Sequence, residues 1–179
     1  MSSARRTLRR ALFVSSVAAV CGLFAASCAK DLNATVTNAC PSQDVFEKSV
    51  SPYMERRCGT LDCHGGIARP MRLFGKLGLR HPDENNIPGG KATSKVELDA
   101  NYTSVCGIEP EKMNDTVANL GNSADELLMI RKARGQEKHK GGKVVNEADH
   151  ADNCMLGWLR GDKAATVDAE CAAAIADLQ

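Results

Sequence analysis

The sequence predicts a mainly α fold: a small helical domain with long irregular loops, stapled by disulfides. Three observations lead there. Apolar residues recur at helical spacing in several short segments, and no stretch alternates as a strand would. Clusters such as Pro82, Asn85, Asn86, Pro88, Gly89 and Gly90 separate those segments and keep the helices short. Eight cysteines in 179 residues are more than packing needs, and in an oxidising compartment they can pair.

The compartment is read from the first residues. Arg5, Arg6, Arg9 and Arg10 precede an apolar run over 11–24, and Ala25, Ala26 and Ser27 lead into Cys28. That order is the order of a secretory signal. Small residues ending on a cysteine resemble the lipobox of bacterial lipoproteins, with Ala25 where leucine is usual. The resemblance implies removal of residues 1–27, lipidation of Cys28, and a membrane anchor facing the periplasm or the cell surface. The alternative is ordinary cleavage that leaves Cys28 a thiol. Removing 1–27 takes four arginines and no acid, leaving 19 Lys+Arg against 22 Asp+Glu. A mildly acidic chain argues against nucleic acid as a partner. Beyond the leader, no apolar run approaches 18 residues, which excludes a multi-span membrane protein.

Residues 28–39 are mostly polar and read as a tether; residues 40–179 read as one domain. Ser42 caps a short helix whose Phe46 and Val50 share a face. Pro52 ends it, and Ser51-Pro52 opens another short turn with Tyr53 and Met54, leading to Cys58. Over 70–80, Leu73, Phe74 and Leu77 predict one or two apolar turns, interrupted by Gly75 and Gly78. A surface loop follows over 81–91, and an extended piece is expected over 96–102. Met113 follows Pro110-Glu111-Lys112 in a loop. Ser123 opens a helix through Leu127, Leu128 and Ile130, and 131–143 is a basic connection containing glycine. A helix over 146–160 carries Ala148, Ala151, Met155, Trp158 and Leu159 and stops before Gly161. Thr166 caps the last helix, with Val167, Cys171, Ala174, Ile175 and Leu178 on one face.

Chemistry concentrates in Cys58-Gly59-Thr60-Leu61-Asp62-Cys63-His64-Gly65-Gly66. Two thiols followed at once by a histidine are what covalent haem c attachment requires: two thioethers and an axial imidazole. The usual interval between the cysteines is two residues, whereas here it is four. The stretch resembles cytochrome c-like domains of the planctomycete type. The resemblance is carried by Val45-Phe46, Val50-Ser51-Pro52 and Cys63-His64-Gly65, then His139-Lys140-Gly141-Gly142 and Trp158-Leu159-Arg160-Gly161. It implies one covalent haem c held by Cys58 and Cys63, with His64 as proximal ligand. It also implies one-electron transfer with a redox partner protein in the bacterial envelope, a carrier more than an enzyme. For the sixth ligand the residues leave His139, beside two glycines, and Met113 as the alternative. Met129 and Met155 fit the core better, and His81 and His150 read as solvated.

A different class stays open: a haem-free envelope module with a binding or structural role, in which Cys58 and Cys63 form one more disulfide. Another metal is a third reading, although adjacent Cys63 and His64 cannot easily share one ion. If Cys58 and Cys63 hold haem, Cys40, Cys106, Cys154 and Cys171 make two disulfides, for which Cys40 with Cys171 and Cys106 with Cys154 are the expected pairs. The basic run Arg131, Lys132, Arg134, Lys138, Lys140 and Lys143 could meet haem propionates or an acidic partner, or be simply solvated. No glycine-rich phosphate loop, nucleophile elbow or zinc-protease helix motif is present.

Overall fold

The computed structural model describes residues 38–82 and 90–179. The leader, Cys28 and most of the expected tether lie outside the described residues, as does 83–89 of the expected surface loop. The fold is mainly helical with long loops, and the described residues contain no β-strand. None of its helices is long and apolar enough to cross a membrane.

Ser42 opens the first helix, its side chain accepting from the Val45 N–H. The chain then coils through α1 (Gln43–Val45), a π-helical turn (Phe46–Val50) and α2 (Ser51–Arg57). Pro52 does not end this helix, contrary to expectation. A proline ring crowds the carbonyl four residues earlier and offers no N–H. The wider turn, in which the Ser51 N–H reaches Phe46 O, provides the room.

Residues 96–102 are helical rather than extended, inside α3 (Lys95–Cys106). Ser94 and Glu97 form a reciprocal capping box at its start. The buried face of α3 is Glu97, Asn101 and Val105, four residues apart, and two of the three are polar. Glu97 receives two hydrogen bonds of 2.6 Å from buried Arg80. Asn101 accepts from the Phe74 N–H at 2.6 Å and donates to Phe74 O at 2.8 Å. Ser104 accepts from the Arg72 N–H at 2.7 Å. Residues 70–80 are therefore irregular, not helical: their backbone groups bond to α3 side chains instead of to one another.

Two further short helices follow, α4 (Pro110–Ala118) and α5 (Leu128–Ala133), with a 3₁₀ turn (Ala124–Glu126) between them. Then α6 (His150–Arg160) and α7 (Ala164–Ala176) form a helical hairpin. Asp149 caps α6 by accepting from the Asp152 N–H. Gly161 ends it in the left-handed region, φ 72°, a conformation that costs glycine least. No side chain caps α7, and Thr166 lies inside it. Phe46 packs between Tyr102 and Trp158, ring centres 5.6 and 5.1 Å away. The indole N–H donates to Ser42 O at 2.9 Å and the Tyr102 hydroxyl to Pro41 O at 2.8 Å.

The disulfides are Cys40–Cys106 and Cys154–Cys171, not the expected pairs. Tyr102 holds Pro41, so Cys40 lies over the end of α3 where Cys106 sits. The tight turn at Gly161 folds α7 back on α6 and sets Cys154 opposite Cys171.

Candidate functional site

Helix α2 delivers Cys58 to the site: its N–H bonds Met54 O at 2.7 Å and so prolongs the helical spiral. The four residues before Cys63 are taken up in a coil. Cys63 N–H and Gly65 N–H both bond Thr60 O at 3.0 Å, and His64 N–H returns to Cys58 O at 2.9 Å. Arg69 closes the outside, donating to Cys63 O and Asp62 O at 2.9 and 3.0 Å. Gly59, Gly65 and Gly78 meet backbone to backbone beneath this coil. A Cβ on Gly65 would run into Gly59 O and lie 2.7 Å from Gly78 Cα.

His64 is half-buried, and its Nδ1 lies 2.8 Å from Met71 O. A carbonyl can only accept, so Nδ1 carries the proton and Nε2 keeps its lone pair. Burial lowers the pKa of His64 from its ordinary value; the Met71 carbonyl opposes this and nearby His139 adds to it. Across from it, His139 Nδ1 lies 3.0 Å from Gly142 O, which assigns the same tautomer. Gly141 lets the chain pass close under the ring, since a Cβ there would sit 3.2 Å from His139 Cε1. The two ring centres are 6.0 Å apart, with 23° between their planes.

Both histidines line a cavity of about 280 Å3, with Cys58, Met54, Met71, Met129, Met155 and Lys132 among the other walls. Cys58 and Cys63 are the unpaired cysteines among the described residues. Burial pushes the Cys58 thiol up to about 12. Cys63 is half-buried in the same loop but is not part of the cavity wall. Met113 lies in α4, not in a loop, 2% exposed in the core and away from the cavity. Met129 and Met155 pack with the core as expected, yet both also face the cavity. His81 packs edge-on against Phe74, and His150 faces Glu170 at 2.8 Å.

The basic run divides. Arg134 is buried in a bidentate pair with Asp152, 2.7 Å at each nitrogen, and also bonds Asp125 at 2.5 Å. It is a structural tie between α5 and α6, not a surface charge. Arg131 pairs with Glu137 at 2.6 Å.

No family model, curated protein or solved structure matches the chain. The reading of the site therefore rests on its own chemistry. Among the described residues, no three of His, Cys, Asp and Glu converge as ligands of one ion would. The donors are instead spread around an apolar hollow, an arrangement for a group larger than an ion. The methionine walls were missed from sequence; Met54 alone carried a signal, four residues before Cys58 on one helical face.

Proposed function

We propose that this domain holds one covalent haem c between His64 and His139 and serves as an electron carrier in the bacterial envelope. The observation that carries the reading is the opposed pair of imidazoles. Metal–nitrogen bonds of about 2 Å on either side, plus about 1 Å to each ring centre, set two trans imidazoles about 6 Å apart. The rings of His64 and His139 are 6.0 Å apart, and each has its Nε2 lone pair left for a metal by an Nδ1–carbonyl bond.

The donor chemistry fits the group. Cys58 and Cys63 stay thiols while the other four described cysteines are paired; each would add its sulfur and its hydrogen across one vinyl double bond. Bound there, haem would supply a one-electron couple, and paired histidines favour a lower potential than a histidine–methionine set. The chain's own work is to orient the imidazoles and exclude water. Met54, Met71, Met129 and Met155 do the latter, with polarizable side chains that adapt to an irregular surface. Lys132, on the cavity wall, is the residue placed to offset a propionate. Export, the lipid anchor at Cys28 and a redox partner protein belong to the same proposal; they rest on the leader and the motif.

The test is expression of the exported chain with haem c maturation proteins. A c-type pyridine haemochrome band that resists acid–acetone extraction is expected. His64→Ala should abolish the low-spin spectrum, His139→Ala should convert it to high spin, and Met113→Leu should leave it unchanged. Recovery of the chain without haem, with Cys58 linked to Cys63, would overturn the reading in favour of a haem-free module.

A further inference from the structure

The charge of the chain is unevenly placed. Residues 131–143 hold six basic side chains and one acidic, whereas the rest of 28–179 holds 13 basic and 21 acidic. Arg134 and Arg131 are consumed by internal ion pairs. Lys138, Lys140 and Lys143 are exposed and make no ion pair among the described residues. They stand on either side of His139, in the loop whose histidine faces His64. The neighbouring loop carries Ile67 and Leu61, which are 75% and 48% exposed although large and apolar. Arg69, between them and the cavity, is turned inward onto the loop backbone. An apolar centre with a cationic border thus adjoins the cavity of a chain that is acidic elsewhere.

We infer that this face, Leu61 and Ile67 with Lys138, Lys140 and Lys143, is where an acidic protein partner docks to exchange electrons with the domain. The inference rests on the haem reading for its purpose, but the surface does not depend on it. Lysines in this position give directional steering: an acidic partner is attracted to the loop and repelled by the remainder. The exposed Leu61 and Ile67 then supply the desolvated centre that such a contact requires.

Two measurements on the full mature chain separate the claims. In the first, the 15N-labelled protein is titrated with a hexaglutamate peptide, with hexalysine as the sign control. Amide shifts confined to 60–69 and 135–145 are expected with hexaglutamate, and their loss in the K138E/K140E/K143E variant. Shifts elsewhere, or none, would overturn the docking face whether or not haem is bound. Binding to phosphatidylglycerol vesicles without any hexaglutamate response would assign the face to a membrane and overturn it equally. In the second, the haem-loaded protein reduces ferricyanide at increasing salt. A net-acidic chain with no local cationic face should react faster as salt rises. We expect the reverse, a fall of at least about threefold between 10 and 200 mM salt, with the slope inverted in the triple variant. A rate that rises with salt in the unmodified chain would refute the steering. Absence of haem would fail the earlier reading alone, leaving the peptide titration to decide this one.

Discussion

Gly65→Ala tests the claim that the coil carrying His64 is locked by backbone contact. The added methyl group would meet Gly59 O and stand 2.7 Å from Gly78 Cα. Both obstacles are backbone, so no side chain can swing away; the His64–Gly66 segment or the 75–79 turn must move. Overpacking of this kind costs about 1–3 kcal/mol. Separation of the two segments would also weaken the Leu79 N–H bond to Gly65 O, now 2.9 Å, for about 1 kcal/mol more. A total of about 3 kcal/mol lowers the melting temperature by about 10 °C in a domain of this size. Gly142→Ala is the control: it too sits in a glycine-rich turn, at φ 69°, but nothing lies within 4 Å of its added Cβ. It should lose only the left-handed penalty, about 1 kcal/mol, or about 3 °C. Thermal unfolding followed by circular dichroism reads both. Equal losses in the two variants would refute the backbone lock.

Three other outcomes are expected. Glu97→Gln should destabilise by about 3 kcal/mol in urea titrations, because it leaves the Arg80 guanidinium buried without its charge partner. Burial alone would raise the Glu97 pKa, but bonds from Arg80 and from the Ser94 and His81 N–H groups outweigh it and hold the carboxyl below its ordinary value. Its contribution is therefore present above about pH 4.5 and lost as pH falls through the depressed value; stability against pH should flatten over that window in Glu97→Gln, and an unchanged acid slope would contradict the pairing. Replacing Cys154 and Cys171 by serine removes a closure of 17 residues, worth about 3 kcal/mol on loop entropy, and should shift the urea midpoint without changing how Cys58 and Cys63 react with a thiol reagent. Asn101→Ala strips both bonds from the Phe74 backbone and should cost about 2 kcal/mol, with faster amide exchange at Phe74 as the local sign.

The helices that the sequence shows most plainly are those whose buried face is apolar. Helix α6 presents Met155, Trp158 and Leu159 at regular spacing, and Gly161 marks its end. Helix α3 hides itself because its inward face is Glu97 and Asn101, groups that are buried only because Arg80 and Phe74 meet them from 16 or more residues away. Periodicity in apolar residues cannot register such a face, although the Ser94–Glu97 capping box was there to be read. The same holds for residues 70–80, whose leucines have helical spacing but whose backbone is claimed by side chains of another element. At the site, the motif named Cys58, Cys63 and His64 because their order is local. The nearness of His139 to His64 is set by tertiary packing across 75 intervening positions, and only the paired glycines beside it hinted at a special loop. The disulfide partners failed for a similar reason: parity counts cysteines but says nothing of which helix ends lie together.

The segment bearing His139 closes on itself. Val144 and Val145 N–H both bond Ala133 O, at 2.8 and 3.0 Å, and Arg57 clamps Val144 O from α2 at 3.2 and 3.3 Å. Everything between is a compact loop whose two ends are one residue's carbonyl apart. The His64 side has no such freedom, being wedged among Gly59, Gly65 and Gly78. The two halves of the site are therefore unequal in what they can become. Residues 134–143 form an interchangeable cassette: their length and sequence can be rewritten while Ala133 and Val144 keep the frame, so that what faces His64 is open to redesign and to drift on a fixed scaffold.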